Sequence, residues 1–424
     1  ETGEYVWHYQ ETPGETWDFT ATQPINLATL TIGGQQRRVL MQAPKNGFFY
    51  VIDRTNGKLI NAGQFIPGVN WATGYDMKTG RPIENPESRY YKTGKPFLAT
   101  PSAIAAHNWQ PMSFNPKVGL AYIPAQIVGS AYLNPSSPLD GTKPIGFNVG
   151  QDIGNAMYPR DAAAVKQAIA GATGRLVAWD PVANKARWTV EYPTPWNGGT
   201  MTTAGNLVFQ GTALGEFRAY AADTGKQLFS YPVGTGVMAG AATFMIGNEQ
   251  YVAMLAGRGG ALPLSIGYAI GKARDVPNQP RLLVFKLGGQ AQLPPAAPPP
   301  AIAPPPLPES TATPQQVAQG QALFGRYCQV CHGASAGGGG VLPNLQRSAT
   351  LGDPDTWKAI LIDGMLKDKG MVSFAKVLTP EQAQLIRLYV IDEAHWAQKN
   401  LGNATKAVAP APGAAKSPVP TGVR

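Results

Sequence analysis

The sequence is poor in sulfur and in charge. It has 424 residues but only two cysteines and four histidines, and Asp, Glu, Lys and Arg make up 14% of it. So few cysteines exclude a disulfide-stapled scaffold and a four-cysteine zinc module. No apolar run approaches the length of a membrane span, and the basic residues behind the net charge of +9 are scattered. We therefore expect neither a transmembrane segment nor a nucleic-acid partner.

Both cysteines lie in the run Cys328-Gln-Val-Cys331-His332. Cys-x-x-Cys-His is the attachment motif of c-type haem, because two thiols one helical turn apart can form thioethers to one porphyrin. The adjacent imidazole then ligates the iron. A redox disulfide would need a βαβ setting, and a zinc site would need two more ligands at metal spacing. The sequence shows neither, so the motif predicts haem c bound through Cys328, Cys331 and His332.

Three short helices are predicted around this motif. Each begins with a capping residue followed by proline, at Thr313-Pro314, Asp353-Pro354 and Thr379-Pro380. A glutamine three residues after each threonine completes the pattern of a capping box. The segment 311–397 therefore resembles a small class I cytochrome c, which is all-α.

Such a domain needs a second axial ligand to the iron. Met365 and Met371 are the only methionines after the motif. Met371 lies in Lys-Gly-Met-Val-Ser-Phe, which is similar to the Gly-Met-Pro-x-Phe loop of the cytochrome family, although Val372 replaces the proline. A thioether ligand raises the potential of the haem. We favour Met371 as the ligand, since the alternative use of either methionine is core filling.

The length and composition predict two domains. A chain of 424 residues exceeds one typical core. Residues 288–312 are rich in proline and should form a semi-rigid linker. Residues 398–424 lack acidic side chains and should form a disordered basic tail. The predicted domains are therefore 1–287 and 313–397.

The first 287 residues repeat weakly. Five segments combine a strand end, a tight turn and the start of another strand, with turn positions at Gly3, Gly57, Gly119, Asn184 and Gly225. The turns recur every 41 to 65 residues. Repeats of this size indicate the blades of a β-propeller with variable loops, and the alternative is a β-sandwich.

The repeat pattern Ala-x-Asp-x-x-Thr-Gly-x-x-x-Trp resembles the tryptophan-docking motif of quinoprotein alcohol dehydrogenases. In that family eight four-stranded blades surround pyrroloquinoline quinone (PQQ). A propeller followed by a proline-rich linker and a cytochrome is similar to the quinohaemoprotein alcohol dehydrogenases, from residue 1 to about 397. The resemblance implies a mainly β fold, part of an eight-bladed propeller, followed by an all-α class I cytochrome c domain. With four to five repeats, the sequence is expected to be the C-terminal portion of a longer enzyme.

The resemblance also implies catalytic chemistry. Asp18, in Thr-Trp-Asp-Phe, matches the family's Trp-Asp segment, whose carboxylate takes the hydroxyl proton of the alcohol close to Ca²⁺. Thr20 occupies the position where lanthanide-using relatives have a second Asp, which argues for calcium. Without the resemblance, an isolated Asp is more typical of a turn cap.

Four further residues match positions that contact the quinone in the family. Lys45 would stabilise negative charge on the quinone oxygens, although a Lys before Asn-Gly is otherwise typical of a solvated hairpin. Asn108 would supply an amide hydrogen bond, and neighbouring His107 is expected to be structural. Trp196 and Asn197 begin a turn whose two glycines should allow close backbone approach.

The resemblance implies oxidation of an alcohol to an aldehyde or ketone by PQQ, with electron transfer to the haem and then to a soluble periplasmic redox protein. Because haem c is attached outside the cytoplasm, we expect a periplasmic location, with the export signal absent here. The alternatives are a hydroxylase that acts on a heterocycle by dehydrogenation and hydration, and a non-catalytic electron relay. Arg258, in place of an aromatic residue, and an insertion near 126–170 leave the substrate open.

Overall fold

The computed structural model describes residues 2–104, 106–134, 150–152, 161–259, 273, 276–294, 305–338 and 342–401. Three antiparallel four-stranded sheets and one three-stranded sheet make up most of the first domain. The first sheet contains β1 (Asn26–Ile32), β2 (Gln35–Gln42), β3 (Phe48–Asp53) and β4 (Leu59–Gln64). Two small ribbons, β5 (Ala72–Asp76) with β6 (Arg81–Glu84) and β7 (Phe97–Ala99) with β10 (Ser130–Tyr132), lie outside the large sheets.

The other sheets follow along the chain. The second contains β8 (Ser113–Asn115), β9 (Leu120–Ile127), β11 (Thr173–Asp180) and β12 (Lys185–Tyr192), in the order β12-β11-β9-β8. The third contains β13 (Thr200–Thr203), β14 (Leu207–Gly211), β15 (Glu216–Ala221) and β16 (Gln227–Pro232). The fourth contains β17 (Ala241–Ile246), β18 (Glu249–Ala256) and β19 (Arg281–Lys286). The largely apolar runs 38–41, 47–52, 206–209 and 250–255 all overlap members of these sheets.

Consecutive sheets pack face to face, as blades of a propeller do. Every residue of β3 is buried, because β3 is covered on both faces and reads as an almost continuous apolar run. The interfaces pair apolar side chains of neighbouring sheets: Val51 with Ile123 and Val177, Tyr122 with Tyr220, and Phe217 with Met254. This packing confirms the predicted propeller-like fold.

Tryptophan docking joins neighbouring repeats in the same way at two places. The ring of Trp7 covers Gly57, and the ring of Trp188 covers Gly225, so that a Cβ on either glycine would lie 2.7 Å from the ring. Each indole N–H donates 3.1 Å to a carbonyl three residues before the glycine, that of Arg54 or Ala222. All five predicted turn positions have a positive φ, between 52° and 77°. These turns therefore select glycine or asparagine for conformational reasons.

The second domain is helical and is built around its longest helix. Its helices are α3 (Pro314–Tyr327), α4 (Gln329–His332), α5 (Pro354–Leu361) and α6 (Pro380–Leu401); two short helices, α1 (Tyr90–Thr93) and α2 (Ala162–Gly171), precede them in the first domain. Single 3-10 turns occupy Pro86–Ser88, Leu345–Arg347, Ala349–Gly352 and Lys367–Lys369. The backbone of α3 passes close to α6 because Gly320 lacks a Cβ, which would lie 2.2 Å from the carbonyl oxygen of Leu385.

All three predicted helix starts are confirmed. Thr313 and Thr379 each form a reciprocal capping box with the glutamine three residues on. Asp353 accepts from the backbone N–H groups of Asp355 and Thr356. Helix α6 extends to Leu401, past the expected domain boundary at 397, and the remainder of the expected tail lies outside the described residues. No described helix has both the length and the apolar character needed to cross a membrane.

Candidate active site and haem site

The predicted catalytic aspartate occupies a rigid turn. The carboxylate of Glu15 accepts hydrogen bonds from the backbone N–H groups of Trp17 and Phe19, the second at 2.9 Å. Asp18 between them has a φ of 61°. The Trp17 indole donates to the carbonyl of Ser88 at 3.0 Å and is fully buried. The turn is thus held on both sides, whereas the side chain of Asp18 stays 60% exposed.

Asp18 pairs with the predicted quinone-contacting lysine. Lys45 Nζ lies 3.1 Å from Asp18 Oδ2, and its side chain is only 9% exposed. Lys45 follows β2, and its carbonyl accepts from the N–H of Ala106 at 3.0 Å. The alternative of a solvated hairpin lysine is therefore wrong. A largely buried cation requires an anionic partner, and Asp18 provides one.

His107 fixes the 104–110 loop, which contacts the backbone of Lys45. Its Nδ1 lies 2.6 Å from the carbonyl of Ala43, and its Nε2 lies 2.6 Å from the carbonyl of Gln110. Burial lowers the pKa of His107 to about 4, although the two carbonyl oxygens favour the protonated ring. His107 is thus structural, as expected. The amide of Asn108 donates to the carbonyl of Ile104 at 3.1 Å, and its oxygen accepts from the N–H of Trp109 at 2.8 Å.

Trp196 packs against Trp109 of this loop. It is 3% exposed, has a φ of 66°, and its ring meets that of Trp109 edge to face at 6.3 Å. Its backbone N–H donates to Gln126 Oε1 at 2.8 Å. Its indole Nε1 is buried and has no hydrogen-bond partner among the described residues. An unpaired buried donor is costly, so Nε1 is available to a ligand acceptor.

The other residues of the Trp196 turn make hydrogen bonds and close contacts within the protein. The Asn197 amide donates to the carbonyl of Thr194 and its oxygen accepts from the N–H of Ala213, both at 3.0 Å. A Cβ at Gly198 would lie 2.7 Å from a backbone oxygen, and one at Gly199 would lie 2.3 Å from a proline ring. These glycines therefore allow close approach of neighbouring protein loops to the turn.

Arg258, which replaces an expected aromatic residue, is also anchored within the protein. It is 7% exposed, and its guanidinium donates to the carbonyls of Ala273, at 2.7 Å, and Val276. Its backbone N–H donates to the side chain of Asn278 at 2.8 Å. Residues 135–149 and 153–160 of the insertion near 126–170, and residues 261–267 after Arg258, lie outside the described residues.

A chain of contacts joins the four loops. Asp18 contacts Lys45, the Lys45 backbone contacts the 104–110 loop, and Trp109 of that loop contacts Trp196. Sequence reasoning missed Glu15 and Gln126, which position two of these loops. Glu15 could have been found, because its carboxylate lies two residues before Trp17, a spacing suited to local backbone hydrogen bonds. Nothing in the sequence marks Gln126, since its partner is 70 positions away.

The donor set fits an acidic, planar aromatic cofactor such as PQQ. Lys45 supplies a buried cation, and Trp196 Nε1 supplies an unpaired donor beside an aromatic pair. Two acceptors, Gln110 Oε1 and Thr194 Oγ1, are likewise buried and unpaired in the described part of the chain. A calcium site is not evident in the same way. The described ranges contain no group of three or more His, Cys, Asp or Glu side chains that could hold a metal ion. Asp18 alone does not form a calcium site.

The haem motif occupies a single helical turn. His332 Nδ1 lies 3.3 Å from the carbonyl of Pro343, which leaves Nε2 available to an iron ion. Burial lowers the pKa of His332, which favours the neutral, ligating form of the ring. Burial also raises the pKa of the Cys328 thiol to about 12, whereas Cys331 is exposed. A buried neutral thiol argues against a reactive redox pair.

The two candidate axial methionines differ in burial. Met371 is half-buried and packs against the core cluster that contains Cys328. Met365 is 57% exposed and lies outside that cluster. The loop before Met371 turns at Gly370, which has a φ of 92°. The packing favours Met371 as the ligand.

The molecule thus combines propeller-like sheets and tryptophan docking with a helical haem c domain, which defines the class of quinohaemoproteins. A family model for the β-propeller domain of glucose, ethanol and alcohol dehydrogenases matches residues 1–63 and 159–252. A model for subunit III of cbb3-type cytochrome c oxidase matches residues 315–390.

Similar proteins narrow this class to one family. The chain is 48% identical over 395 residues to quinohemoprotein alcohol dehydrogenase ADH IIB of Pseudomonas putida, covering 93% of this chain and 55% of that protein. It is 40% identical over 404 residues to 1-butanol dehydrogenase (cytochrome c) of Thauera butanivorans, covering 93% of this chain and 55% of that protein. The solved structure of quinohemoprotein alcohol dehydrogenase ADHIIG from Pseudomonas putida HK5 has a TM-score of 0.84 at 44% identity. The match covers 94% of this chain and 57% of that chain. The chain belongs to the quinohaemoprotein alcohol dehydrogenase family and spans about half the length of the curated relatives it matches.

Proposed function

We propose that this chain is part of an enzyme that oxidises an alcohol to an aldehyde or ketone with PQQ and passes the electrons to its own haem c. The observation that carries the proposal is the ion pair between Asp18 and Lys45, at 3.1 Å. It places an accessible base beside a buried cation in a chain that also contains a haem-attachment motif.

Asp18 is the proposed general base. When bound, PQQ supplies an acceptor for two electrons, and haem supplies an acceptor for one. The exposed carboxylate of Asp18 would take the hydroxyl proton of the alcohol at Oδ1 or Oδ2. The Glu15 contacts hold the turn still, so the carboxylate needs little reorganisation before the proton moves. Lys45 would stabilise negative charge that develops on the bound cofactor.

The remaining site assignments rest on the family resemblance together with the geometry. Lys45, Asn108, Trp196 and Asn197 form the proposed PQQ site. Trp196 would contribute its free Nε1, whereas the engaged amides of Asn108 and Asn197 mainly shape the loops. We propose calcium as the metal near Asp18, supported by Thr20 in place of a second aspartate. The described residues offer no group of three or more His, Cys, Asp or Glu side chains that would complete such a site.

The proposed haem site lies in domain 313–397. Cys328 and Cys331 would form the thioethers, and His332 and Met371 would be the axial ligands. The domain division at the linker 288–312 follows the composition, and the end of the linker packs on α6, where His395 Nε2 lies 2.7 Å from the carbonyl of Pro308. Because haem c is attached outside the cytoplasm, we propose a periplasmic location and a soluble redox protein as the electron acceptor.

Anaerobic haem reduction tests this function. The purified enzyme with ferric haem is mixed with a primary alcohol, with and without added PQQ and Ca²⁺, and the ferrous α-band is followed. We expect the band to appear only when both additions are present. A haem that stays ferric under all conditions would show that the chain serves another role.

The Lys45→Met variant tests the cofactor site in the same assay. Removing the buried cation should raise the PQQ concentration needed for half-maximal reconstitution at least tenfold, since a charge-assisted contact contributes more than about 1.4 kcal/mol. Lys226→Met, at an exposed turn of the same propeller, is the matched control. Equal PQQ requirements for the two variants would remove Lys45 from the site.

A further inference from the structure

A short helix of the propeller domain packs against the cytochrome domain. Val165 of α2 is 1% exposed and forms a buried cluster with Ala397 of α6, which is 8% exposed. Ile169, Trp396 and Leu401 pack against the same cluster. Val165 and Ile169 are four residues apart, so they share one face of α2. We call these five residues the α2–α6 contact.

Helix α2 is suited to be rigid despite its short length. Nine of its ten residues are alanine, valine, isoleucine, lysine or glutamine, and five of these are alanine. Alanine is the strongest helix former. Asp161 caps the first turn, because its carboxylate accepts from the N–H of Ala164 at 2.7 Å.

The other end of α2 reaches the proposed quinone site. Ala172, the residue that ends the helix, is 3% exposed and belongs to the buried cluster that contains Trp196. From Val165 to Ala172 the helix rises about 10 Å. A single helix therefore contacts both the Trp196 cluster and the cytochrome domain.

Helix α6 continues the connection toward the haem. Its residues Ile386, Tyr389 and Val390 belong to the core cluster that also contains Cys328. Tyr389 and Ala397 are about 12 Å apart along the helix. Two packed helices thus link the environment of Trp196 to the environment of the haem-attachment motif.

We propose that α2 is a strut that fixes the distance between the quinone site and the haem, and that the α2–α6 contact controls electron transfer between them. The proposal rests on the function proposed above. Alcohol oxidation releases two electrons and two protons, and each electron would reduce one ferric haem iron to the ferrous state. Electron tunnelling slows steeply with distance, so loosening the contact should slow this step without affecting the oxidation of the alcohol.

Two rates in the holoenzyme separate these steps. Alcohol-dependent reduction of a phenazine dye reports electrons leaving the propeller, and stopped-flow appearance of the ferrous α-band reports electrons reaching the haem. We expect Val165→Asp and, on the other side of the contact, Leu401→Asp to slow haem reduction at least tenfold and to leave dye reduction within twofold of the wild type. Gln167→Asp, on the exposed face of α2, should change neither rate.

Hydrogen exchange gives a readout that does not depend on turnover. Both contact variants should exchange faster than Gln167→Asp in α2 and in the last turn of α6. If both contact variants reduced the haem at the wild-type rate, the proposal would be overturned. It would also be overturned if Val165→Asp lost both rates equally while Leu401→Asp lost neither, because α2 would then support only the quinone site. A wild-type enzyme that reduces neither dye nor haem would contradict the proposed function instead.

Discussion

The two candidate sites of this molecule are built in opposite ways. The haem motif lies in one run, Cys328 to His332, within a single helical turn. The proposed quinone site draws on loops from Asp18 to Trp196, which meet only through long-range contacts. The spacing of the haem-attachment residues is therefore visible in the sequence, although the proposed axial ligand Met371 comes from a later loop. A site made from distant loops depends on partners that local sequence does not reveal.

The largest effect should come from breaking the compact site. Replacing both cysteines, Cys328→Ala with Cys331→Ala, should abolish covalent haem completely, because no other cysteine is present to form a thioether. The measurement is haem staining after denaturing electrophoresis, together with the pyridine haemochrome spectrum.

The control is Met365→Leu, which changes an exposed methionine in the same domain and should keep the haem. Alcohol-dependent dye reduction should survive in the cysteine variant, because the propeller site does not use the haem motif. Covalent haem in the double variant would show that attachment does not depend on this run.

The proposed quinone site, made from distant loops, also depends on one residue for its chemistry. Asp18→Asn should lower alcohol oxidation by about 10²- to 10⁴-fold, the usual contribution of a general base. The side chain is 60% exposed and asparagine keeps its shape, so the variant should still fold, although it should lose some stability because Lys45 loses its anionic partner. The measurement is kcat for alcohol-dependent dye reduction at saturating alcohol and PQQ.

Asp223→Asn, at an exposed turn of the propeller, is the matched control and should retain full activity. Asp18→Asn should also keep its haem spectrum, since the two sites share no residue. Activity within a few-fold of the wild type would mean that Asp18 only caps its turn.

The same contrast explains which features could be predicted from the sequence and which could not. The three helix caps and the five turn positions depend on local chemistry, and the structure confirms them. Tryptophan docking was expected from the family resemblance, since each ring covers a glycine of another repeat. The two glycines after Asn197 were singled out for close backbone approach, but their contacts with distant loops could not be predicted. Gln126 was missed for the same reason. The α2–α6 contact could not be predicted, since it joins two domains across a linker.

A pair of glycines tests whether packing between repeats assembles the proposed quinone site. Gly225 and Gly119 have nearly the same φ, 73° and 75°, but only Gly225 lies under a tryptophan ring. Backbone strain should cost Gly119→Ala about 1 kcal/mol, and overpacking against Trp188 should raise the cost of Gly225→Ala to about 2 to 4 kcal/mol. The measurement is the free energy of unfolding from tryptophan fluorescence in urea. Equal losses would mean that docking adds nothing beyond the turn.

The smallest effect concerns His107, which ties the end of β2 to the 104–110 loop. Burial lowers its pKa from 6.5 to about 4, so between these values the unfolded chain binds more protons than the folded one. The free energy of unfolding should therefore rise with pH across this window, by up to about 1.4 kcal/mol per pH unit, and fall as the pH drops. His107→Gln should remove this part of the slope when unfolding is followed by tryptophan fluorescence. Unfolding of the cytochrome domain, followed at the Soret band, should keep its pH dependence, because His107 contacts only propeller loops. An unchanged propeller slope in His107→Gln would show that the buried ring is already protonated between its two carbonyl partners.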